Sequence, residues 1–142
     1  EQCLYNLTAR QVEAEVIPSA LAHGAGILVW APLHGGLLSG AVEKLAAGTA
    51  EKSAQGRAAE AMAEWRDAVT AYERTCAALE RSPAEVGMAW VLSRPGVTSV
   101  VIGPRTPSHI DGAIAALERP LTNDELARVE APFAAARVPM TS

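Results

Sequence analysis

The chain has 142 residues, enough for one domain with a real hydrophobic core. Apolar residues make up 49%, charged residues 20%, and the net charge is −4, an ordinary globular composition that excludes a disordered or fibrous chain. The mild acidity argues against a nucleic-acid partner, and no apolar run approaches the roughly 18–20 residues that span a bilayer. Cys3 and Cys76 are too few for a disulfide framework, no metal-ligand spacing is present, and a reducing cytoplasm is the expected compartment.

In chain order, Gln2 to Leu7 reads as a short strand. A helix follows over roughly Glu13 to His23, with Val16, Ile17, Ala20 and Leu21 at helical spacing. Pro18 belongs to a first turn, which would start that helix later than Glu13. Ile27 to Ala31 is a continuous apolar run, as in a strand of a parallel sheet. Pro32 to Gly40 reads as loop, and Ala41 to Gly56 is ambiguous. A longer helix runs from about Ala58 to Leu79 with Val69, Tyr72, Cys76 and Leu79 as its buried stripe, the Glu and Arg residues between Glu60 and Arg81 forming a solvated face. Ser82-Pro83-Ala84-Glu85 predicts a capping box with proline at the first helical position. That helix stops before Pro95-Gly96, and Thr98 to Ile102 is a third strand. Thr106-Pro107 opens a helix with Ile110, Ile114 and Leu117 on one face, and Thr122-Asn123-Asp124-Glu125 is a second capping box.

Alternating strands and helices mean parallel strands with crossover connections. Three strands with all helices on one side leave the other face of the sheet bare. A closed (β/α)8 barrel would cover it but takes about 250 residues. The expected fold is therefore α/β, a partial (β/α)8 barrel. It comprises the C-terminal three strands with their helices and an extra C-terminal helix, with 1–142 as a single fragment. An open doubly wound sheet is the alternative, and it would want a GxGxxG loop after its first strand, which is missing.

Two of the predicted strands end at glycine-bearing loops: Trp30-Ala31-Pro32-Leu33-His34-Gly35-Gly36-Leu37-Leu38-Ser39-Gly40, and Ile102-Gly103-Pro104-Arg105-Thr106-Pro107. Loop N–H groups and a helix start make an anion site of the kind that holds phosphate, and two such loops point to a dinucleotide. Trp30 alone reads as a core aromatic; the Pro-Leu-x-Gly-Gly that follows reverses that reading. Arg105 alone reads as a solvated loop arginine. Tyr5 fits strand packing, and His34, at the mouth, fits contact with substrate better than catalysis. His23 reads as a helix C-terminal residue, Cys3 and Cys76 as buried small groups, and Trp65, Tyr72 and Trp90 as core.

These segments, with Glu1-Gln2-x-x-Tyr5-Asn6-Leu7-x-x-Arg10 and Ala89-Trp90-Val91-Leu92, resemble the aldo-keto reductase superfamily, in particular bacterial members related to potassium-channel β subunits. The resemblance covers nearly the whole chain. It implies an NADPH-dependent oxidoreductase that reduces an aldehyde or ketone to an alcohol, with this chain supplying the cofactor half. Gln2 would hydrogen-bond the nicotinamide carboxamide and Trp30 would stack on its ring. Ala31, Pro32 and Leu33, the Gly35-Gly36 turn and Ser39 would line the pyrophosphate. Gly103 permits close approach at the adenosine end, Arg105 would meet the 2′-phosphate, and His109 follows one turn into the next helix. Arg57 corresponds to an arginine of a loop that closes over the cofactor.

The chain departs from the family pattern at Ala31, at Ala41 (where a Lys often stands), and at Gly112 and Ala113 near the adenine. The family's catalytic Asp, Tyr, Lys and His cannot be placed in it, so the chain alone is expected to be inactive. The implied partners are a carbonyl substrate and a second copy or the rest of a barrel, with no nucleic acid and no membrane. A non-catalytic NADPH-binding or redox-sensing module and an inactive fragment are the competing readings.

Overall fold

The computed structural model describes residues 1–49 and 56–136; part of the ambiguous segment before Gly56 and the end of the tail lie outside them. Three parallel strands pair in the order β1 (Gln2–Leu4), β2 (Ile27–Trp30), β3 (Val97–Val101). Helix α1 (Val16–Ala22) joins β1 to β2. Helices α2 (Ala41–Ala46), α3 (Gly56–Ala78) and α4 (Pro83–Leu92) lie between β2 and β3, and α5 (Pro107–Glu118) and α6 (Asn123–Glu130) follow. Parallel neighbours need such long crossovers, which is how the alternating sequence becomes one α/β sheet.

The two faces of the sheet differ, because successive side chains on a strand point to opposite sides. Cys3, Ile27 and Val29 belong to the core. Gln2 pairs with Leu28, Leu4 with Trp30, and Trp30 with Val101, so these residues share the other face. There Leu28 and Val101 are exposed, Leu28 at 41%. This is the bare face expected of three strands with helices on one side. On α5, Ile110, Ile114 and Leu117 share a face as spaced but are exposed too, while Ala116 enters the core.

Several boundaries shift for local reasons. The first strand ends at Leu4 because Asn6 turns the chain: Asn6 and Ala9 exchange backbone hydrogen bonds of 3.2 and 3.1 Å, and the Asn6 Oδ1 accepts the Thr8 N–H at 3.0 Å. A 3-10 turn, Gln11–Glu13, replaces the start of the first helix, and Pro18 falls in the first turn of α1. Helix α3 begins at Gly56, β3 begins at Val97 and ends at Val101, and the first glycine loop contains a 3-10 turn, His34–Gly36. Thr122 and Glu125 cap α6 reciprocally at 2.7 and 3.3 Å, and the Thr122 N–H holds the Glu125 carboxyl below its ordinary pKa.

The box at α4 is only half formed. Ser82 Oγ accepts the Glu85 N–H at 3.2 Å, but the Glu85 carboxylate takes Arg81 Nε at 2.7 Å instead of returning to Ser82. Arg81, expected on a solvated face, is therefore buried; its guanidinium also donates to the Arg119 carbonyl at 2.5 Å. The Thr106 hydroxyl bonds Ser108 at 2.9 Å and makes no capping bond to α5.

Helix α4 is buried from Glu85 to Val91 and packs against α3, β3 and α5. Gly87 permits this approach: a Cβ there would lie 2.8 Å from Leu33 Cδ2 and 3.1 Å from the Tyr72 hydroxyl, which donates to the Pro83 carbonyl. Gly87→Ala is expected to cost about 1–2 kcal/mol in urea denaturation, overpacking outweighing the better helix propensity of alanine. Burial pushes the Cys76 thiol up to about 12 and raises Cys3, so both behave as the small buried groups the sequence indicated.

A buried ionic cluster ties the first turn of the chain to its last helix. Arg10, 2% exposed, donates to Glu13 at 2.7 and 3.1 Å and to Glu130 at 3.0 Å. Glu130 also accepts Arg94 Nη1 at 2.8 Å and Trp90 Nε1 at 3.0 Å. The Arg10 and Arg94 guanidiniums lie 5.1 and 4.9 Å from the centre of the Trp90 ring. Tyr5 packs on Trp90 at 5.2 Å and donates its hydroxyl to Glu13 at 2.6 Å; burial and that carboxylate raise its pKa, so it stays a neutral packing phenol.

Candidate cofactor-binding groove

The first glycine loop leaves β2 in a strained path. Ala31 (φ 49°) and His34 (φ 47°) both occupy the left-handed region, which residues with a Cβ seldom adopt. Such strain persists only where the surroundings over-determine it. Asn6 Nδ2 donates to the Ala31 carbonyl at 3.0 Å, and Thr8 Oγ1 lies 2.6 Å from His34 Nδ1, so the turn after β1 clamps the loop after β2. Gly35 and Gly36, at φ 64° and 106°, complete the reversal where a side chain would add more strain. The Ser39 hydroxyl donates to the Gly36 carbonyl at 2.7 Å. The N–H groups of His34, Gly36, Leu37, Leu38 and Ser39 are used inside the loop, while that of Leu33 has no acceptor among the described residues.

The second loop runs from Ile102 to Thr106. The Arg105 N–H donates to His109 Nδ1 at 3.2 Å, so His109 braces the loop that carries Arg105. Between the two loops lies a groove of about 730 Å³, within the range of about 300–1,000 Å³ usual for small-molecule and cofactor sites. Ala31, Pro32, Leu33, Gly35, Gly36 and Ser39 line one wall; Gly103, Arg105 and His109 line the other. A Cβ at Gly103 or Gly112 would meet nothing within 4 Å, so both glycines leave room for a ligand to approach the backbone. These features fit a dinucleotide: open backbone at two glycine loops and cations on both walls.

One of those cations the sequence did not single out. Lys44 lines the groove and donates Nζ to the Ser39 carbonyl at 2.5 Å and to its hydroxyl at 3.2 Å. It restores, one turn later on α2, the charge that Ala41 lacks. Its position follows from α2 starting at Ala41, and Ala41 to Gly56 had no clear periodic signal.

Gln2 and Trp30 do not line this groove. They lie on the bare face of the sheet, Gln2 exposed and Trp30 at the C-terminal end of β2. The Arg57 guanidinium sits 5.4 Å from the centre of the Trp30 ring, which brings the expected closing arginine onto the expected stacking residue.

A second cleft, of about 560 Å³, is lined by Leu4, Thr8, Gln11, His34, Glu64 and Trp65 among others. Burial, with the Arg57 charge adding to it and Glu64 opposing it, lowers the His34 pKa from the ordinary 6.5. The unfolded chain then takes up its proton near 6.5 and the folded chain only below that, so His34 subtracts stability as pH falls through this window. Thermal melts between pH 7 and 5 should show this loss, and His34→Asn, which tolerates the left-handed backbone, should flatten it. His23 Nδ1 lies 2.9 Å from the Ser19 carbonyl at the end of α1, as expected of a helix C-terminal residue.

Among the described residues no group of His, Cys, Asp and Glu could hold a metal ion, and no helix is long and apolar enough to cross a membrane. The family profile described as Aldo/keto reductase family matches residues 1–132. The chain is 36% identical over 126 residues to "Uncharacterized oxidoreductase YrpG" of Bacillus subtilis, covering 89% of this chain and 37% of that protein. It is 30% identical over 124 residues to "Probable voltage-gated potassium channel subunit beta" of Arabidopsis thaliana, covering 83% and 38%. It is 26% identical over 117 residues to "NADH-specific methylglyoxal reductase" of Escherichia coli, covering 82% and 36%. The chain thus spans somewhat over a third of the length of these relatives. A profile match over nearly the whole chain, together with the two-loop groove, places it in the aldo/keto reductase family of oxidoreductases.

Proposed function

We propose that the chain forms the cofactor-binding part of an NADPH-dependent carbonyl reductase, its three strands completing a (β/α)8 barrel with segments that the relatives have and these residues do not span. The observation that carries this reading is the groove in which both glycine loops face each other with Lys44, Arg105 and His109 on its walls. The nicotinamide, when bound, would supply the hydride for the carbonyl carbon. The chain's own residues would hold the dinucleotide: Ser39, Lys44 and the Gly35-Gly36 turn at the pyrophosphate, Arg105 at the 2′-phosphate, and Gly103 and Gly112 open to the adenosine. Gln2 and Trp30 would orient the nicotinamide ring on the sheet face. The proton for the carbonyl oxygen comes from a donor outside these residues.

The exposed Leu28 and Val101 on the sheet and Ile110, Ile114 and Leu117 on α5 support the barrel reading, since the remaining strands and helices of a barrel would cover apolar side chains of this kind. The rest of a barrel is the partner proposed for it, and the cytoplasm the setting. One relative is named for NADH specificity, so the nucleotide preference has to be measured on this chain. Fluorescence titration with NADPH and NADH tests the reading: saturable binding with NADPH the tighter ligand supports it, and equal or absent binding of both overturns it.

A further inference from the structure

We infer that the second cleft, the one lined by His34, recognises the hydroxyl group of a hydroxylated aromatic carbonyl compound through the unprotonated Nε2 of His34. This deepens the carbonyl-reductase reading, and rests on it, by naming the substrate class.

The tautomer of His34 follows from a chain of hydrogen bonds. Asn6 Nδ2 donates to the Ala31 carbonyl at 3.0 Å, which fixes its other atom, Oδ1, as an acceptor. Thr8 Oγ1 lies 2.8 Å from that Oδ1, so the single hydroxyl hydrogen of Thr8 is spent there. The contact of 2.6 Å between Thr8 Oγ1 and His34 Nδ1 then requires Nδ1–H to donate to Thr8. In a neutral imidazole the other nitrogen carries the lone pair. Burial and the neighbouring Arg57 charge favour the neutral ring. His34 Nε2 is therefore an acceptor, and it has no donor among the described residues.

The rest of the cleft points to the same ligand. Glu64 adds a second acceptor. Trp65 offers a half-buried indole, fixed by Phe133 at 6.0 Å between ring centres, and Leu4 and Ala61 add apolar wall. An aromatic ring that donates a hydrogen bond suits this lining, with the indole as its apolar face and His34 Nε2 and the Glu64 carboxylate as its acceptors. The cleft also adjoins the groove. Leu4 ends β1, and His34 lies between Leu33 and Gly35, which line the first groove, so a ligand held here shares a wall with the nucleotide.

The test is made on the whole chain, free and saturated with NADP, using benzaldehyde and 4-hydroxybenzaldehyde as probes. Two-bond ¹H–¹⁵N spectra of the imidazoles should show His34 protonated at Nδ1 and bare at Nε2. 4-Hydroxybenzaldehyde should shift the Nε2 signal and bind about tenfold tighter than benzaldehyde, the value of one good hydrogen bond. His34→Asn should erase the tenfold preference. An Nε2–H tautomer in the unmodified chain overturns the inference whether or not the variant folds. Equal affinity for the two probes, or no binding of either, overturns it as well. NADPH binding without the hydroxyl preference removes this inference alone; the preference without NADPH binding removes the nucleotide reading instead.

Discussion

Glu130→Ala is expected to cost about 3–5 kcal/mol, enough to bring a domain of ordinary stability close to unfolding at 37 °C. The magnitude follows from what the carboxylate leaves behind. Arg10 is 2% exposed, and Arg94 and Trp90 Nε1 point at the same Glu130 oxygen. Removing that carboxylate leaves Arg10 with Glu13 alone and Arg94 without its ion-pair partner in a part-buried site. Burial alone would lower the Arg10 pKa, but the hydrogen bonds and charges of Glu13 and Glu130 raise it overall, so losing one carboxylate reverses part of that balance. Glu130→Gln keeps the acceptor and the volume and should lose less. Urea denaturation of the two variants against the unmodified chain measures the difference. A loss under about 1 kcal/mol for alanine would mean that the cluster is solvated and does not hold the chain together.

Arg105→Ala is expected to weaken NADPH binding about 10- to 100-fold while leaving NADH nearly unchanged, since a guanidinium holds phosphate by charge-assisted, bidentate hydrogen bonds. Arg105 is exposed, so the preference should shrink as salt is added. Arg105→Lys keeps the charge but not the planar fork, and should recover only part of the loss. His109 braces the loop through the Arg105 N–H, so His109→Ala should give a smaller loss of the same selectivity. Parallel weakening of NADPH and NADH by Arg105→Ala would show that the residue meets the pyrophosphate and not the 2′-phosphate.

Much of the groove could be read from local sequence because local sequence makes it. The strand β2 is a continuous apolar run and β3 is β-branched at most positions, each ends at a glycine loop, and Thr122–Glu125 closes its capping box as its spacing predicts. The features that escaped are those made by distant partners. Arg10 and Glu130 are separated by 120 positions, and no period in the sequence links them. The half-formed box at α4 fails because Arg81 outcompetes the Ser82 backbone N–H for the Glu85 carboxylate, a contest between a charged and a neutral donor that spacing alone does not settle. Asn6 reads as part of the first strand, yet with Thr8 it turns the chain and fixes the loop carrying His34. Ile110, Ile114 and Leu117 show the reverse case: the helical spacing is right, but the described residues offer that face nothing to bury against.

If the two glycine loops form one nucleotide groove, an amide-resolved NMR titration of the chain with NADPH will report on both at once. Saturable shifts are expected at Leu33, Gly36 and Ser39 on one wall and at Gly103, Arg105 and Gly112 on the other, all with a single affinity. Shifts confined to one loop, or to residues outside both, would contradict a shared groove.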